Sequence, residues 1–224
     1  MKQINCFLPY NNSAETLTTV QTLQASKLVN QIFLLSKDAA ATAVEGCEMM
    51  VIDSMQSTAT VRQIAEKSDA TYSLIYTKDT MLELGQYALE RFARIATDTE
   101  AGMVYADHYQ VVGDVRSNHP VIDYQEGSLR DDFNFGSVLF YNAKRLRKTA
   151  DKMTENYQFA GLYDLRLKVS RKAELFHINE YLYAEVETDP RKSGEKQFDY
   201  VDPQNRAVQI EMAPACTNHL RKIC

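Results

Sequence analysis

The chain has no tryptophan and only eight glycines, five prolines and four cysteines among its 224 residues. Each shortage excludes something. So few breakers, with 45% hydrophobic and 25% charged residues, exclude a disordered or fibrous chain. Cys6, Cys47, Cys216 and Cys224 lack metal-ligand spacing and are too few for a disulfide scaffold. A basic surplus is missing as well. The net charge of −5 argues against a nucleic-acid binder, which must neutralise phosphates. No apolar run reaches bilayer-crossing length. Met1-Lys2 leads straight into a short strand-like run without the pattern of a secretory signal. Asn11-Asn12-Ser13, after that first run, holds no glycine. This sets aside a nucleotidyltransferase and a dehydrogenase, both of which need a glycine-rich phosphate loop there. What remains is a cytoplasmic globular protein, one large domain or a domain plus an extension.

The first two-thirds alternate strand and helix patterns. Ile4 to Leu8 reads as a strand ended by Pro9, with Asn12 as the next helix's N-cap and Glu15 completing a capping box. Leu17, Val20 and Leu23 give that helix its inward stripe. Ile32-Phe33-Leu34-Leu35 has the continuous apolar character of a buried parallel strand. A weak helix through the alanines at 39 to 43, a strand at Met49 to Ile52 and a helix at Thr58 to Lys67 follow. Strand Tyr72 to Tyr76 comes next, then a helix with apolar positions at Met81, Leu84, Ala88, Phe92 and Ile95, opened by Thr80 and Glu83 as a capping box. Such βαβα order predicts a mostly parallel sheet with helices on both faces, the strands' C-terminal ends sharing a cleft. Beyond a strand at Met103 to Tyr105 that halts at Asp107, the style changes. Val111 to Val115 reads as a hairpin turn, Ser137 to Phe140 and Leu175 to Ile178 as strands, and Asn142 to Lys152 and Tyr163 to Arg171 as helices. Residues 187 to 200 read as a linker. Asp202-Pro203 opens a last helix that Pro214 should kink. The division expected is a domain at 1–186 and a linker with C-terminal helix at 187–224. The chain stops at Lys222-Ile223-Cys224 without a cap, so a further C-terminal domain is expected.

The most telling stretch is Asp69 to Gln110. A strand stops at Thr77-Lys78-Asp79, an element of helical pattern follows, and a second strand stops at Asp107. Carboxylates at the C-terminal ends of strands lie where open α/β sheets bind ligands. This order resembles the middle of a family 2 glycosyltransferase of the GT-A fold, and the likeness spans roughly residues 3 to 186. It implies a mostly parallel GT-A sheet followed by mixed strands that form the acceptor half. In that family an acidic triplet at the strand end holds a divalent metal, manganese or magnesium, and the diphosphate of a sugar nucleotide. Asp79 carries over as the metal ligand, with Thr77 standing where the first aspartate is usual and Lys78 supplying positive charge. Pro9, Tyr10 and Asn11 carry over beside the nucleotide, Asp38 as the contact to its base, and Arg62 as a donor to the diphosphate. In the family an acidic pair before an amphipathic helix supplies the general base. Here Gly161-Leu162 occupies that place, and Asp164 follows two positions later, turned by roughly 200° at the helix start. Either Asp164 serves a rebuilt site or the base is lost. Asp107, beside His108, is the other candidate base.

Two readings compete. One is an enzyme that transfers a sugar, with inversion, from a nucleotide diphosphate donor to a glycan hydroxyl. The resemblance would place it in cell-surface polysaccharide synthesis, in the cytoplasm at the inner membrane surface, with no nucleic-acid partner. The other is a degenerate GT-A domain without turnover that binds a glycan or partner, or props an active domain beside it.

Overall fold

The computed structural model describes residues 2–127, 129, 133–187 and 203–223, with backbone alone at 187 and 203–205. Its elements run β1 (Ile4–Pro9), α1 (Ala14–Gln24), β2 (Val29–Ser36), β3 (Cys47–Val51), α2 (Thr58–Lys67), β4 (Tyr72–Tyr76) and β5 (Met81–Leu84). There follow α3 (Ala88–Thr99), β6 (Met103–Val112), β7 (Val115–His119), β8 (Val138–Asn142), α4 (Ala143–Ala150), α5 (Gly161–Ser170), β9 (Leu175–Glu187) and α6 (Pro203–Ile223). The sheet order is β3-β2-β1-β4-β8-β6-β9-β5, with β7 paired to β6. The first four strands are mutually parallel. β8 then enters antiparallel between β4 and β6, and β9 pairs β6 in parallel. This is the mostly parallel half plus mixed half that the sequence predicts.

Alternation along each strand splits the core. Ile4, Cys6 and Leu8 of β1, with Leu74, Tyr76, Val104 and Ala106, face α1 and α3. Phe7, Ile75, Met103 and Tyr105 face α2, α4 and α5. Both faces are thus covered by helices, which is why the central strands read as unbroken apolar runs. Asn5 is the polar exception in β1. Its amide donates to the carbonyl of Lys67 and to Asp69, each at 2.7 Å, and its oxygen accepts from Asn30 at 2.9 Å. A buried amide satisfied on both sides fixes how β1, β2 and the approach to β4 start together.

Several expectations change. Ser13, not Asn12, caps α1 and accepts from the Thr16 amide; Asn12 sits at φ 63° and uses its side chain to hold the amide of Thr42. Thr16 and Thr19 take the inward places on α1, while Leu17 is exposed. The alanines at 39 to 43 form a turn and coil, not a helix. Met81 to Leu84 is strand β5, antiparallel to Tyr183–Val186 of β9, so Thr80 and Glu83 cap no helix. The Leu82 amide donates to the Thr19 hydroxyl at 3.0 Å. β6 runs on through Asp107 to Val112 instead of halting, and β9 is 13 residues long. α6 continues through Pro214. Of the linker expected at 187 to 200, residue 187 ends β9, and 188 to 200, like Asp202, lie outside the described residues.

Gly161, where the first member of the acidic pair would stand, is the first residue of α5 and has no room for a side chain. A Cβ there would collide with the backbone of Ser57 and Thr58. The same approach lets the Gly161 amide reach the Gln56 carbonyl at 2.7 Å and the Thr58 amide reach the Tyr157 carbonyl at 2.8 Å. Two chain segments are in backbone contact at that point. Gly161→Ala should therefore cost about 1–3 kcal/mol in urea denaturation, the range of overpacking. Gly127→Ala, with nothing within 4 Å of its Cβ, should cost almost nothing. Equal midpoints for the two variants would show that the contact at 161 is not tight.

Candidate functional site

At the C-terminal edge of the parallel half, Pro9 pairs with Leu35 and the Tyr10 amide donates to the Leu35 carbonyl at 2.8 Å. Pro9 is half-buried, Tyr10 buried and Asn11 exposed. Asp38, exposed, closes the turn after β2 by accepting from the Ala40 amide at 2.8 Å. β4 is parallel to β1, so Thr77, Lys78 and Asp79 fall on the same edge. The structure thus gathers Pro9, Tyr10, Asn11, Asp38, Lys78 and Asp79 along one rim. Arg62 is committed elsewhere, donating to Asn156 at 2.6 Å and to the Met153 carbonyl at 2.7 Å.

The Thr77–Asp79 turn joins two strands, β4 and β5, not a strand and a helix. Thr77 donates its amide to the Ser137 carbonyl at 2.9 Å. Asp79 is exposed. Among the described residues no three His, Cys, Asp or Glu side chains converge as a metal set would. Magnesium takes one or two protein carboxylates and keeps several waters. Asp79 meets the minimum of that requirement, which fits a weakly held ion only.

Lys78 is ion-paired with Glu185 of β9, a carboxylate that is almost wholly buried. The other Glu185 oxygen lies 3.4 Å from His108 Nε2. His108 stacks on Tyr183, and the Tyr183 hydroxyl accepts from the Ser137 amide at 2.9 Å. Burial works to raise the Glu185 pKa, but Lys78, Ser137 and His108 outweigh it and hold the carboxyl below its usual range. Burial also pushes the His108 pKa down, more than Glu185 pulls it up. Geometry agrees: His108 Nδ1 is buried with no hydrogen-bond partner among the described residues. Protonating it would bury an N–H without an acceptor.

On the opposite face of β6, Asp107 is 1% exposed. Its Oδ1 accepts from the Val121 amide at 2.8 Å and faces His177 Nε2 at 2.9 Å. His177 Nδ1 in turn faces Asp123 at 2.7 Å, and the Asp123 side chain is 88% exposed. His177 also stacks on Tyr105. One imidazole thus links a buried carboxylate to one in solvent. Among the described residues both side-chain hydrogen bonds of Asp107 fall on Oδ1. Asp164 differs. It is paired with Lys168 through Oδ1, and its Oδ2 is buried without a partner among the described residues. Its surroundings are those of the α5–α6 contact, where Arg171 donates to His219 at 3.0 Å. Asp107 and Asp164 are therefore in separate settings.

Leu162, next to Gly161, lines a cavity of about 180 Å³ with Phe133, Phe135, Tyr141, Phe159 and Met212. α6 closes one side of it. Its Glu211 carboxylate accepts the amides of Gln158, Phe159 and Ala160 at 3.0, 2.6 and 3.1 Å. Those amides precede α5, so the negative charge also meets the helix's positive end.

Sequence reasoning missed His177, Asp123, Glu185, Tyr183 and Glu211. A polar His177 inside the strand pattern Leu175 to Ile178 was the one available signal. The others depend on pairings between residues far apart in the chain.

The two depressed histidines predict how stability responds to acid. Burial also pushes the His219 pKa down, with Arg171 adding to it. Below the ordinary imidazole value of 6.5, the unfolded chain takes protons that the folded chain refuses. Stability should hold above about pH 7 and fall as the pH drops through 6.5. Two such groups set a ceiling of about 2.7 kcal/mol per pH unit. Glu185 acts in a lower window, its contribution being lost only as the pH falls below 4.5. Urea denaturation at a series of pH values should show the slope, and His108→Gln should reduce it by up to half. A flat profile between pH 7.5 and 5.5 would mean that neither ring is held neutral.

No protein-family model and no curated protein matches the chain. Among solved structures, Staphylococcus aureus TarS residues 1–349 aligns with a TM-score of 0.61 at 8% identity, covering 98% of this chain and 81% of that one. A 4-diphosphocytidyl-2C-methyl-D-erythritol synthase from Anaerococcus prevotii aligns at 11% identity and a TM-score of 0.49, covering 80% and 88%. At such identities the likeness is one of fold: the chain has a GT-A-like α/β fold.

Proposed function

We propose that this protein transfers a sugar, with inversion, from a nucleoside diphosphate donor to a hydroxyl of a glycan acceptor. The observation that carries the reading is Asp107, a carboxylate fixed through one oxygen on a central strand near the rim where the parallel strands end. The GT-A-like fold shared with TarS residues 1–349 supports it. The donor's nucleotide lies along Pro9, Tyr10 and Asn11, with its base toward Asp38. The acceptor oxygen attacks the anomeric carbon as its proton passes to Asp107, and the bond from that carbon to the diphosphate oxygen breaks on the far side. His177 holds the orientation of Asp107 and couples it to Asp123. Lys78 has three N–H donors, and those not used by Glu185 meet the charge growing on the departing diphosphate. A manganese or magnesium ion held weakly by Asp79 would add Lewis-acid stabilisation of the same charge. Arg62 and Asp164 have structural roles in this scheme.

We further place the acceptor among cell-surface polysaccharides and the site of action at the inner face of the membrane. Among the described residues no helix is long and apolar enough to cross one.

Two measurements test the reading. A general base contributes about 10²–10⁴-fold. Asp107→Asn should lose that much sugar transfer or donor hydrolysis, while nucleoside diphosphate still raises the melting temperature. Asp164→Asn should keep most of the rate and lose stability. A dissociation constant of about 0.1–1 mM would give a stabilisation of about 1–2 kcal/mol at 5 mM ligand. No thermal shift with any nucleoside diphosphate, with or without manganese, would favour a domain that binds without turnover. Thr77→Asp, which adds a second carboxylate beside Asp79, should tighten manganese binding. If it only lowers stability, Asp79 is no metal ligand.

A further inference from the structure

α4 is the most basic element of an otherwise acidic chain. Its eight residues, Ala-Lys-Arg-Leu-Arg-Lys-Thr-Ala, carry four cations and no carboxylate, against a net charge of −5 for the whole. α4, Lys152 two residues past it, the C-terminal end of α5 and the three residues that follow α5 line a cavity of about 200 Å³. Arg145, Lys148, Lys152, Lys168, Arg171 and Lys172 line it over an apolar floor of Val169 and Ala173, and no acidic residue does.

Elsewhere Lys67, Lys78, Arg91, Arg94 and Arg116 each have a carboxylate partner, while Lys2, Lys27 and Lys37 are scattered surface lysines in no ion pair among the described residues. In the cavity only Lys168 does, through Asp164. Among the described residues the other five are in no ion pair. Two of these five are nonetheless held in place. Arg145 donates to the Lys172 carbonyl at 3.3 Å and Arg171 to His219 at 3.0 Å. Arg171 Nη2 is buried with no hydrogen-bond partner among the described residues.

Helix dipoles account for part of this. Cations in the last turn of a helix are favourable by about 0.3–1 kcal/mol each, which covers Lys148 on α4 and Lys168 on α5. They do not account for Arg145, in the first turn of α4 where a cation is unfavourable, nor for Lys152 and Lys172 beyond the helix ends. Like charges gathered on concave, low-dielectric walls focus a positive potential. Guanidinium forks match paired phosphate oxygens, and ammonium groups supply adaptable point charges around them.

We propose that this cavity is a binding site for an anion that carries two or more phosphate groups, separate from the nucleotide rim. The same chemistry can come from a free oligophosphate or from phosphate headgroups at a membrane surface. The test uses sodium tripolyphosphate in calorimetry at low and moderate salt, and flotation with phosphatidylcholine vesicles with and without phosphatidylglycerol. The pocket variant is Lys148→Glu with Lys152→Glu, both exposed. The control with equal charge change is Lys2→Glu with Lys27→Glu, also exposed.

Tripolyphosphate should bind the natural protein, and the pocket variant should weaken it at least tenfold while the control changes it less than threefold. That result assigns a free oligophosphate. Binding only to phosphatidylglycerol vesicles, lost in the pocket variant and kept in the control, assigns the headgroup source. Binding to neither probe overturns the proposal, and so does equal weakening by the two variants. Neither probe reports on sugar transfer, so the Asp107 reading stands or falls separately.

Discussion

The pairing of β9 with β6 is the constraint on which the rest of the site depends. Its register slips on both sides of Asp107, so Ala106 lies opposite Ile178, Asp107 opposite Tyr181 and His108 opposite Tyr183. Extra residues in one strand bend it and re-aim its side chains. Here the effect is to bring His177 against Asp107 on one face while Tyr183 and Glu185 meet His108 and Lys78 on the other. β9 then continues past the bulge far enough to pair β5, which fixes the turn that carries Lys78 and Asp79. One strand thereby sets both polar clusters and the rim between them.

Such clusters are costly unless every partner is present. Glu185 is a buried carboxylate, and removing one member of a buried pair costs about 3–5 kcal/mol. Tyr183 is equally committed: its hydroxyl accepts from Ser137, and its ring packs on His108. Gly136 belongs to the same arrangement. It sits at φ 70°, and a Cβ there would run into the Tyr183 hydroxyl and crowd His108 Nδ1 at 3.2 Å. A backbone that needs both positive φ and close approach admits only glycine. Stability and site geometry are coupled here, so variants in this cluster will change both at once.

The parallel half was legible in the sequence because strands buried on both faces leave an unmistakable mark. Ile32 to Leu35 and Tyr72 to Tyr76 have no polar alternation to mistake for a surface strand, and the intervening helices carry their own caps. β5 was not legible. Met81 and Leu84 are spaced to fit a helix face as well as a strand, and what decides between them is a partner about a hundred residues away. The same long-range pairing hid His177, Glu185 and Tyr183, whose meaning comes only from what lies across the sheet. The rim residues Pro9 to Asn11, Asp38, Lys78 and Asp79 were legible because strand ends follow directly from strand assignment. The environments of Asp107 and Asp164 were not, since both are acids at comparable pattern breaks.

The two departures from the resembled motifs have different physical standing. Gly161, the first residue of α5, lies against the backbone of Ser57 and Thr58, so no side chain fits without moving one segment away from the other. The amides of 158 to 160, beside it, already hold the carboxylate of Glu211 from α6. An acidic side chain at position 161 is thus excluded twice, by space and by a negative charge already seated beside it. Thr77 is held more loosely. Its side chain is half-buried, and its hydroxyl makes one long bond, 3.3 Å to the Ser137 carbonyl. Nothing comparable prevents an aspartate at 77. A carboxylate on β6 needs neither position: Asp107 is held by His177 of β9 and by the Val121 amide, and neither hydrogen bond involves residue 77 or the start of α5. In the proposed reaction the base is thus carried on the sheet and relies on neither the helix-side nor the turn-side motif.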